Sequence, residues 1–248
     1  MIYLARIILK IRPAFLAGLL KLLIPFRRRQ IKTPCGVFYV DIASNFGYEL
    51  LKTGKYEQNT IDILRQILKP GEIFVDLGAN EGFFYVVASR IVGENGRVVA
   101  IEPQRRLQKI ISKNLELNSC KNFVISPVAI SDKQGEDFLY MYPSVNTGAS
   151  SLTRPTSYFL TRQKIATKTL EQVFNELELD YCDLIKIDIE GGEYEAIFGS
   201  KKLFIEKRIR GIALELHPRL LAKRGHSERQ IIEFLSECGY DQENLFIL

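Results

Sequence analysis

The run Phe74-Val75-Asp76-Leu77-Gly78-Ala79-Asn80-Glu81-Gly82 constrains this chain more than any other stretch, because it leads an apolar strand into a helix through a turn with little side chain. Ile73 to Val75 are apolar, Asp76 stands where the strand should end, and Phe83, Phe84, Val86, Val87, Ile91 and Val92 recur at helical spacing. A second acid, Glu102, follows the next apolar strand, Val98 to Ile101, at the place where an α/β nucleotide site needs acceptors for ribose hydroxyls. Together these features point to an adenosine-containing cofactor.

Glycine spacing separates the cofactors. A dinucleotide fingerprint, G-x-G-x-x-G, carries a central glycine so that pyrophosphate can approach the backbone. Here Asn80 fills the centre between Gly78 and Gly82. The pattern D-x-G-x-x-x-G suits S-adenosylmethionine, which has no phosphate and carries a sulfonium and an amine. Asp76 is then expected to hold the ammonium end, directly or through water, and Gly78 to let the methionine part lie against the chain. Asn80, Gly82, Glu102, Pro103 and Ala129 are assigned to the same cofactor site. Two other readings stay open: a nicotinamide-dependent oxidoreductase, which Asn80 disfavours, and a turn whose glycines serve packing alone.

Apolar periodicity predicts alternating strands and helices over 248 residues that are 46% hydrophobic, enough for one sizeable α/β domain. Strands are expected at Gly36–Ile42, Ile73–Val75, Val98–Ile101, Phe123–Ile130, Phe138–Tyr142, Leu184–Ile189, Arg210–Leu216 and Leu245–Leu248. Helices are expected at Tyr56–Leu68, from Phe83 to Val92, and at Pro103–Leu117, Leu170–Leu179, Tyr194–Phe204 and Ser227–Cys238. The succession predicts a Rossmann-like, doubly wound, mostly parallel sheet with ligands at the carboxyl ends of its strands. Residues 143 to 163 interrupt the rhythm as a long polar loop, read either as functional or as a surface excursion.

The net charge of +5 hides an asymmetry: residues 1–32 hold eight Lys and Arg and no acid, so residues 33–248 are net −3. A body built for nucleic acid is therefore not expected. The division is a basic arm over 1–32 and a Rossmann-like domain over 33–248. In the arm, Leu4, Ile7, Ile8, Ile11, Phe15, Leu19, Leu22 and Leu23 fall mostly on one helical stripe. That favours either an anionic membrane surface or packing on the domain or a second subunit, while Lys10, Arg12 and Lys21 argue against a spanning segment and no signal-peptide pattern is seen. Cys35, Cys120, Cys182 and Cys238 form no C-x-x-C pair, and are expected as reduced, buried thiols of a cytoplasmic protein that is peripheral on the inner face of the membrane if the arm binds there.

Asp188, Glu190 and Glu193 crowd the end of the strand Leu184–Ile189, before Gly191 and Gly192, and period two puts Lys186, Asp188 and Glu190 on one face. Packed acids repel, so one of them should bind a proton near neutrality, or the group should hold a cation. The plain alternative is an ion-paired junction, with Asp188 on Lys186 and Glu193 capping the next helix. His217 ends the following strand beside Glu215, as a base or as a structural histidine.

These motifs, in this order, resemble the FkbM family of S-adenosylmethionine-dependent methyltransferases. The resemblance is carried by Gly54–Glu57, Val75–Phe84, Ala100–Pro103, Asn146–Leu152, Thr169–Leu170 and Ile185–Glu193. Glu81 stands where the family often has isoleucine, and Gly192 where it often has alanine. The resemblance implies a class I fold and O-methylation of a sugar, glycan, or glycosylated or polyketide-type metabolite. On that basis Asp188, His217 and Glu190 are the expected catalytic residues, with His217 or Asp188 as base. Asn146, Gly148, Ser150, Ser151 and Glu193 are expected around the substrate, and Glu190 and Glu193 are alternatively ligands of a divalent ion, although no metal is assigned. An idle adenosyl-binding subunit of a membrane-associated glycan-assembly system is the remaining alternative.

Overall fold

The computed structural model describes residues 2–11, 16, 17, 20, 28–142, 150–152 and 161–248. Helix α1 (Ile2–Lys10) is followed by an antiparallel hairpin of β1 (Arg29–Thr33) and β2 (Gly36–Val40), then by α2 (Asn45–Thr53) and α3 (Gln58–Ile67). Next come β3 (Ile73–Leu77), α4 (Phe83–Val92), β4 (Arg97–Ile101), α5 (Arg105–Leu117) and β5 (Phe123–Ser126). After β6 (Ala129–Ile130), β7 (Gly135–Met141) and β8 (Thr161–Lys168), the chain runs through α6 (Leu170–Glu176), β9 (Cys182–Ile187), α7 (Glu193–Phe198) and α8 (Lys201–Ile205). It closes with β10 (Ile209–Leu214), α9 (Pro218–Lys223), α10 (Glu228–Glu237) and β11 (Leu245–Ile247).

Six strands form one parallel sheet in the order β11-β10-β9-β3-β4-β5. The chain starts in the middle at β3, winds outward through β4 and β5, then returns to β9 and winds the other way, the order of a doubly wound Rossmann sheet. Alternation sorts the core into two layers. Phe74, Val98, Ala100, Leu184 and Ala213 face β2 and α2 to α5. Val75, Leu77, Val99, Ile101, Ile185, Ile187, Ile212 and Leu214 face α6 to α8 and α10. Both faces are covered, which is why the strands read as continuous apolar runs.

Several boundaries differ from the sequence reading for identifiable reasons. Phe123–Ile130 is two strands, since Pro127 lacks the N–H that a continuous ladder needs; β5 joins the main sheet and β6 a separate sheet of order β6-β8-β7. The expected loop 143–163 ends at Thr161, where β8 begins antiparallel to β7. Its few apolar residues, Ile165 among them, left that strand without a pattern. Tyr194–Phe204 is broken into α7 and α8 around Gly199, where an added Cβ would lie 2.5 Å from Asp132 Cα. Helices α2 and α9 and strand β1 were not expected; β1 lies within the stretch assigned to the arm. Of the cysteines, Cys182 alone is fully buried and the others are half-buried, all four being free thiols.

The hairpin is held to the domain by two asparagines four residues apart, Asn114 in α5 and Asn118 just past its end. Asn118 accepts from Val37 N at 2.9 Å and donates to Val37 O at 2.7 Å. The buried Asn114 accepts from Tyr39 N at 2.6 Å and donates to the Glu81 carbonyl at 2.8 Å, so it joins the hairpin to the glycine turn. Asn114→Ala strands two buried backbone groups and should cost about 2–4 kcal/mol. Urea denaturation of the variant beside the parent checks this.

Candidate functional site

The crevice opens between β3 and β9, where the sheet reverses direction, and forms a cavity of about 210 Å³. Gly78 and Asn80 come from the end of β3, Glu102, Pro103 and Gln104 from β4, and Asp188, Ile189, Glu190 and Gly192 from β9. Ala129 and Ile130 of β6, Leu139 of β7, and Ser150, Ser151 and Leu152 build the opposite wall. Five carboxylates line the cavity, from Glu57, Glu102, Asp188, Glu190 and Glu215, and no Lys, Arg or His does among the described residues.

Behind those acids lies one buried cation. Lys186 is neighbour in register to Asp76 across β3 and β9, and its Nζ donates to Asp188 Oδ2 at 2.7 Å. Burial works against the ammonium, yet Asp188 and Asp76 hold its pKa above the ordinary lysine value. Asp76 is fully buried with no hydrogen bond to either carboxylate oxygen among the described residues. Its pKa is pushed up to about 6 by burial, against the pull of Lys186. Asp76 does not line the cavity, so the direct contact with a cofactor ammonium that the sequence allowed is not what the fold presents.

The glycine turn is shaped by its neighbours. Gly78 has φ +86°, and an added Cβ would sit 2.0 Å from the Asp188 carbonyl oxygen, so it is the approach of β9, rather than of a ligand, that requires glycine there. Asn80 adopts a left-handed φ of 49° and its N–H donates to Glu102 Oε2 at 2.9 Å. Glu102 Oε1 accepts from Gln104 N at 2.8 Å, and burial raises the Glu102 pKa to about 7. Gly82 lies outside the cavity: it begins α4 at φ +82° and packs against Ile111 of α5, which corrects its assignment to the cofactor.

Four acids surround His217. Its Nδ1 is 2.9 Å from Glu193 Oε1, and its Nε2 lies 3.5 Å from Glu190, 3.8 Å from Glu215 and 3.9 Å from Asp188. Burial opposes its charge, but these carboxylates raise its pKa to about 9, so the ring is an imidazolium at neutrality. A protonated ring cannot accept a proton, and His217 as general base is therefore corrected to a cationic centre for the acid group. Glu193 is corrected too: it is fully buried, lies outside the cavity, and accepts from Gly191 N at 3.0 Å while it orients His217. Glu190 does line the cavity, and burial raises its pKa to about 7, the proton-binding acid expected from crowding. Asp188 is ion-paired with Lys186, as the plain reading of the junction expects, and it also faces the cavity. Ligand atoms of Asp188, Glu215 and His217 all lie within 4.8 Å of one another, a set that could hold a divalent cation only with the His217 ring deprotonated.

Ser150 and Ser151 are buried in the wall. Ser150 Oγ accepts from Tyr142 N at 3.2 Å, and Ser151 Oγ donates to the Glu190 carbonyl at 2.5 Å, which ties this segment to the acidic junction. Asn146 and Gly148 lie outside the described residues. Sequence reasoning missed Glu57, which lines the cavity beside Tyr56 at the start of α3 with φ 36°. Its stretch was noticed only as part of a family resemblance, and a left-handed glutamate leaves no mark in sequence. Glu57, Asn80 and Glu190 are three of the six described non-glycine residues with positive φ, so backbone strain gathers at this cavity.

Comparison with known proteins resolves the assignment. The family model described as "Methyltransferase FkbM domain" matches residues 76–241. The chain belongs to the FkbM methyltransferase family. As a member it uses S-adenosylmethionine, and the acid-lined, phosphate-averse crevice fits that cationic cofactor. AMB antimetabolite synthetase AmbE of Pseudomonas aeruginosa is 26% identical over 186 residues, 61% of this chain and 9% of that protein. Ribosomal RNA large subunit methyltransferase E of Chromobacterium violaceum is 36% identical over 64 residues, 26% of this chain and 30% of that protein. The chain thus spans less than a third of either curated relative. Precorrin-6y C5,15-methyltransferase from Geobacter metallireducens is a similar solved structure at 17% identity and TM-score 0.45, over 77% of this chain and 76% of that one.

A raised acid gives this FkbM chain a signed pH dependence. The Glu102 pKa is about 7 in the fold against an ordinary 4.5, so its contribution to stability is full below the ordinary value and is lost as pH rises through about 7. Between pH 5.5 and 8, Glu102→Gln should flatten the fall in unfolding free energy by on the order of 1–3 kcal/mol. Urea midpoints at the two pH values measure it; parallel curves for parent and variant would remove the assignment.

Proposed function

We propose that this methyltransferase transfers the methyl group of S-adenosylmethionine to a hydroxyl of a sugar, glycan, or glycosylated or polyketide-type metabolite. The observation that carries the reading is the charge of the cavity: five carboxylates and no Lys, Arg or His among its described lining residues. Such a wall attracts a sulfonium and an ammonium and repels pyrophosphate, which disfavours a dinucleotide oxidoreductase. It equally repels a nucleic-acid backbone, the acceptor in the Chromobacterium relative's name. A small metabolite agrees better with the antimetabolite synthetase of Pseudomonas.

The bound cofactor supplies an electrophilic methyl on sulfur. Glu102, at the end of β4, would accept hydrogen bonds from the ribose hydroxyls, Gly78 and Asn80 would hold the methionine part, and Pro103 and Ala129 the adenine. Asp76 would act on the ammonium through water, its charge balanced against Lys186. Glu190 is the general base: it faces the cavity and its pKa of about 7 lets it take the hydroxyl proton as the oxygen attacks in line. Asp188 positions the acceptor while Lys186 holds it, and His217 keeps Glu190, Asp188 and Glu215 together by supplying positive charge. Tyr56 takes no proton, because burial and Glu57 raise its pKa far above the ordinary tyrosine value.

The basic arm is read as a surface anchor. Among the described arm residues Ala5, Ile8 and Ala17 are buried, while Ile7, Leu16 and Leu20 are exposed, as are Arg6 and Lys10. No described helix is long and apolar enough to cross a membrane. Exposed apolar side chains among bases suit the interface of an anionic bilayer, which would put the enzyme on the cytoplasmic face of the membrane.

Incubation with labelled S-adenosylmethionine and small glycans, followed by mass analysis, tests the reaction. Gain of one methyl supports it, and cofactor retention without turnover would leave an idle adenosyl-binding subunit. In an active preparation kcat should rise with pH through about 7. Glu190→Gln should lower it about 10²- to 10⁴-fold with cofactor affinity nearly intact. For the arm, Ile7→Asp should reduce flotation with phosphatidylserine liposomes; equal flotation would assign the apolar stripe to protein packing.

A further inference from the structure

Glu81 sits in the turn that faces the cofactor cavity, between Asn80, which lines it, and Gly82, which begins α4. Its side chain is 1% exposed and is met by a guanidinium from the far end of the arm. Arg28 Nη1 donates to Glu81 Oε2 at 2.7 Å and Nη2 to Oε1 at 3.1 Å, a two-pronged grip, while Nη1 also donates to the Tyr39 carbonyl at 3.3 Å. Arg28 thus joins the start of the hairpin, strand β2 and the turn. The Glu81 backbone is fixed from the other side by Asn114, and the field of Arg106 on α5 also reaches the Glu81 carboxylate.

We propose that Arg28 is a positioning residue for the cofactor turn: by compensating the buried Glu81 carboxylate it fixes the turn Gly78–Gly82, so that the basic arm's last residues belong to the cofactor site without touching it. This rests on the reading that Gly78 and Asn80 lie beneath the cofactor. The physical argument is local. A buried carboxylate that loses a two-pronged cation is compensated less well, and its move toward water or another donor shifts the turn that carries it. A shift moves Asn80, whose N–H holds Glu102 Oε2, and so disturbs the acceptor proposed for the ribose. The coupling therefore runs Arg28, Glu81, Asn80, Glu102, each step a direct bond or a peptide link.

The test measures S-adenosylmethionine binding to the full chain by calorimetry, with kcat at saturating cofactor. Arg28→Ala should weaken binding about tenfold or more, with kcat at saturation within about twofold of the parent. Arg28→Lys should fall between, since an ammonium restores charge but not the two-pronged grip. Combining Arg28→Ala with Glu81→Met removes the carboxylate that needs compensation and should recover affinity to within about threefold of the parent. Parental affinity in Arg28→Ala overturns the proposal, and so does a double variant as weak as Arg28→Ala, which would place the effect in hairpin packing. A parent chain that binds no S-adenosylmethionine overturns the cofactor reading and this proposal with it, whereas a binding parent with an indifferent Arg28 removes the proposal alone.

Discussion

A single buried ammonium makes the rest of the site affordable. Lys186 lies between Asp76 and Asp188 at the point where the sheet reverses, and without its charge the acids at the ends of β3 and β9 would repel one another in a medium that screens poorly. Its position follows from register. Lys186 shares a face with Leu184, and thus with the apolar layer against α4, where Phe84 lies under its ammonium with the ring centroid 5.3 Å away. A lysine in such a layer is tolerated only because two carboxylates come with it.

The same strand exit is pulled close to the glycine turn. The Asp188 carbonyl occupies the space that a side chain at position 78 would need, and Asp188 N donates to Leu77 O at 3.2 Å. Glu57, Glu190 and Glu215 complete the acidic lining, and the second positive group, His217, stands behind it. Two cations outside the cavity and five acids on its wall leave a surplus of negative charge facing inward. This is the environment in which a carboxylate keeps a proton to near neutrality, as burial makes Glu102 and Glu190 do.

The opening segment is part of the same construction. Ser44 caps α2 by accepting from Gly47 N, and Ser44, Asn45 and Phe46 then form one lip of the cavity. An aromatic group of Phe46, Tyr56, Phe83 and Phe84, with centroids 4.8 to 6.0 Å apart, lies beside that lip and lines a smaller pocket with Lys186 and Asp188. The hairpin in turn reaches the glycine turn through Asn114 and Arg28, so a division between arm and domain at residue 32 runs between groups joined by hydrogen bonds.

Sequence alone determined the parts whose signal is local. Apolar runs of strand length, glycines at the turn and acids at strand ends marked the sheet, the crevice and Glu102, because burial on both faces leaves an unbroken apolar pattern and the turn leaves no alternative to glycine at position 78. The family motifs between Val75 and Glu193 were legible for the same reason. Tertiary structure decided whatever depended on neighbours distant in the chain. It turned His217 from a base into a cation by placing Glu193, Glu190 and Asp188 around it, and it left Glu190 as the acid near neutrality. It removed Gly82 and Glu193 from the cavity, brought in Glu57, and gave Glu81 a partner at Arg28. Charge states and contacts of this kind are set by distances through space, and a linear pattern carries no distance beyond its own helix or strand.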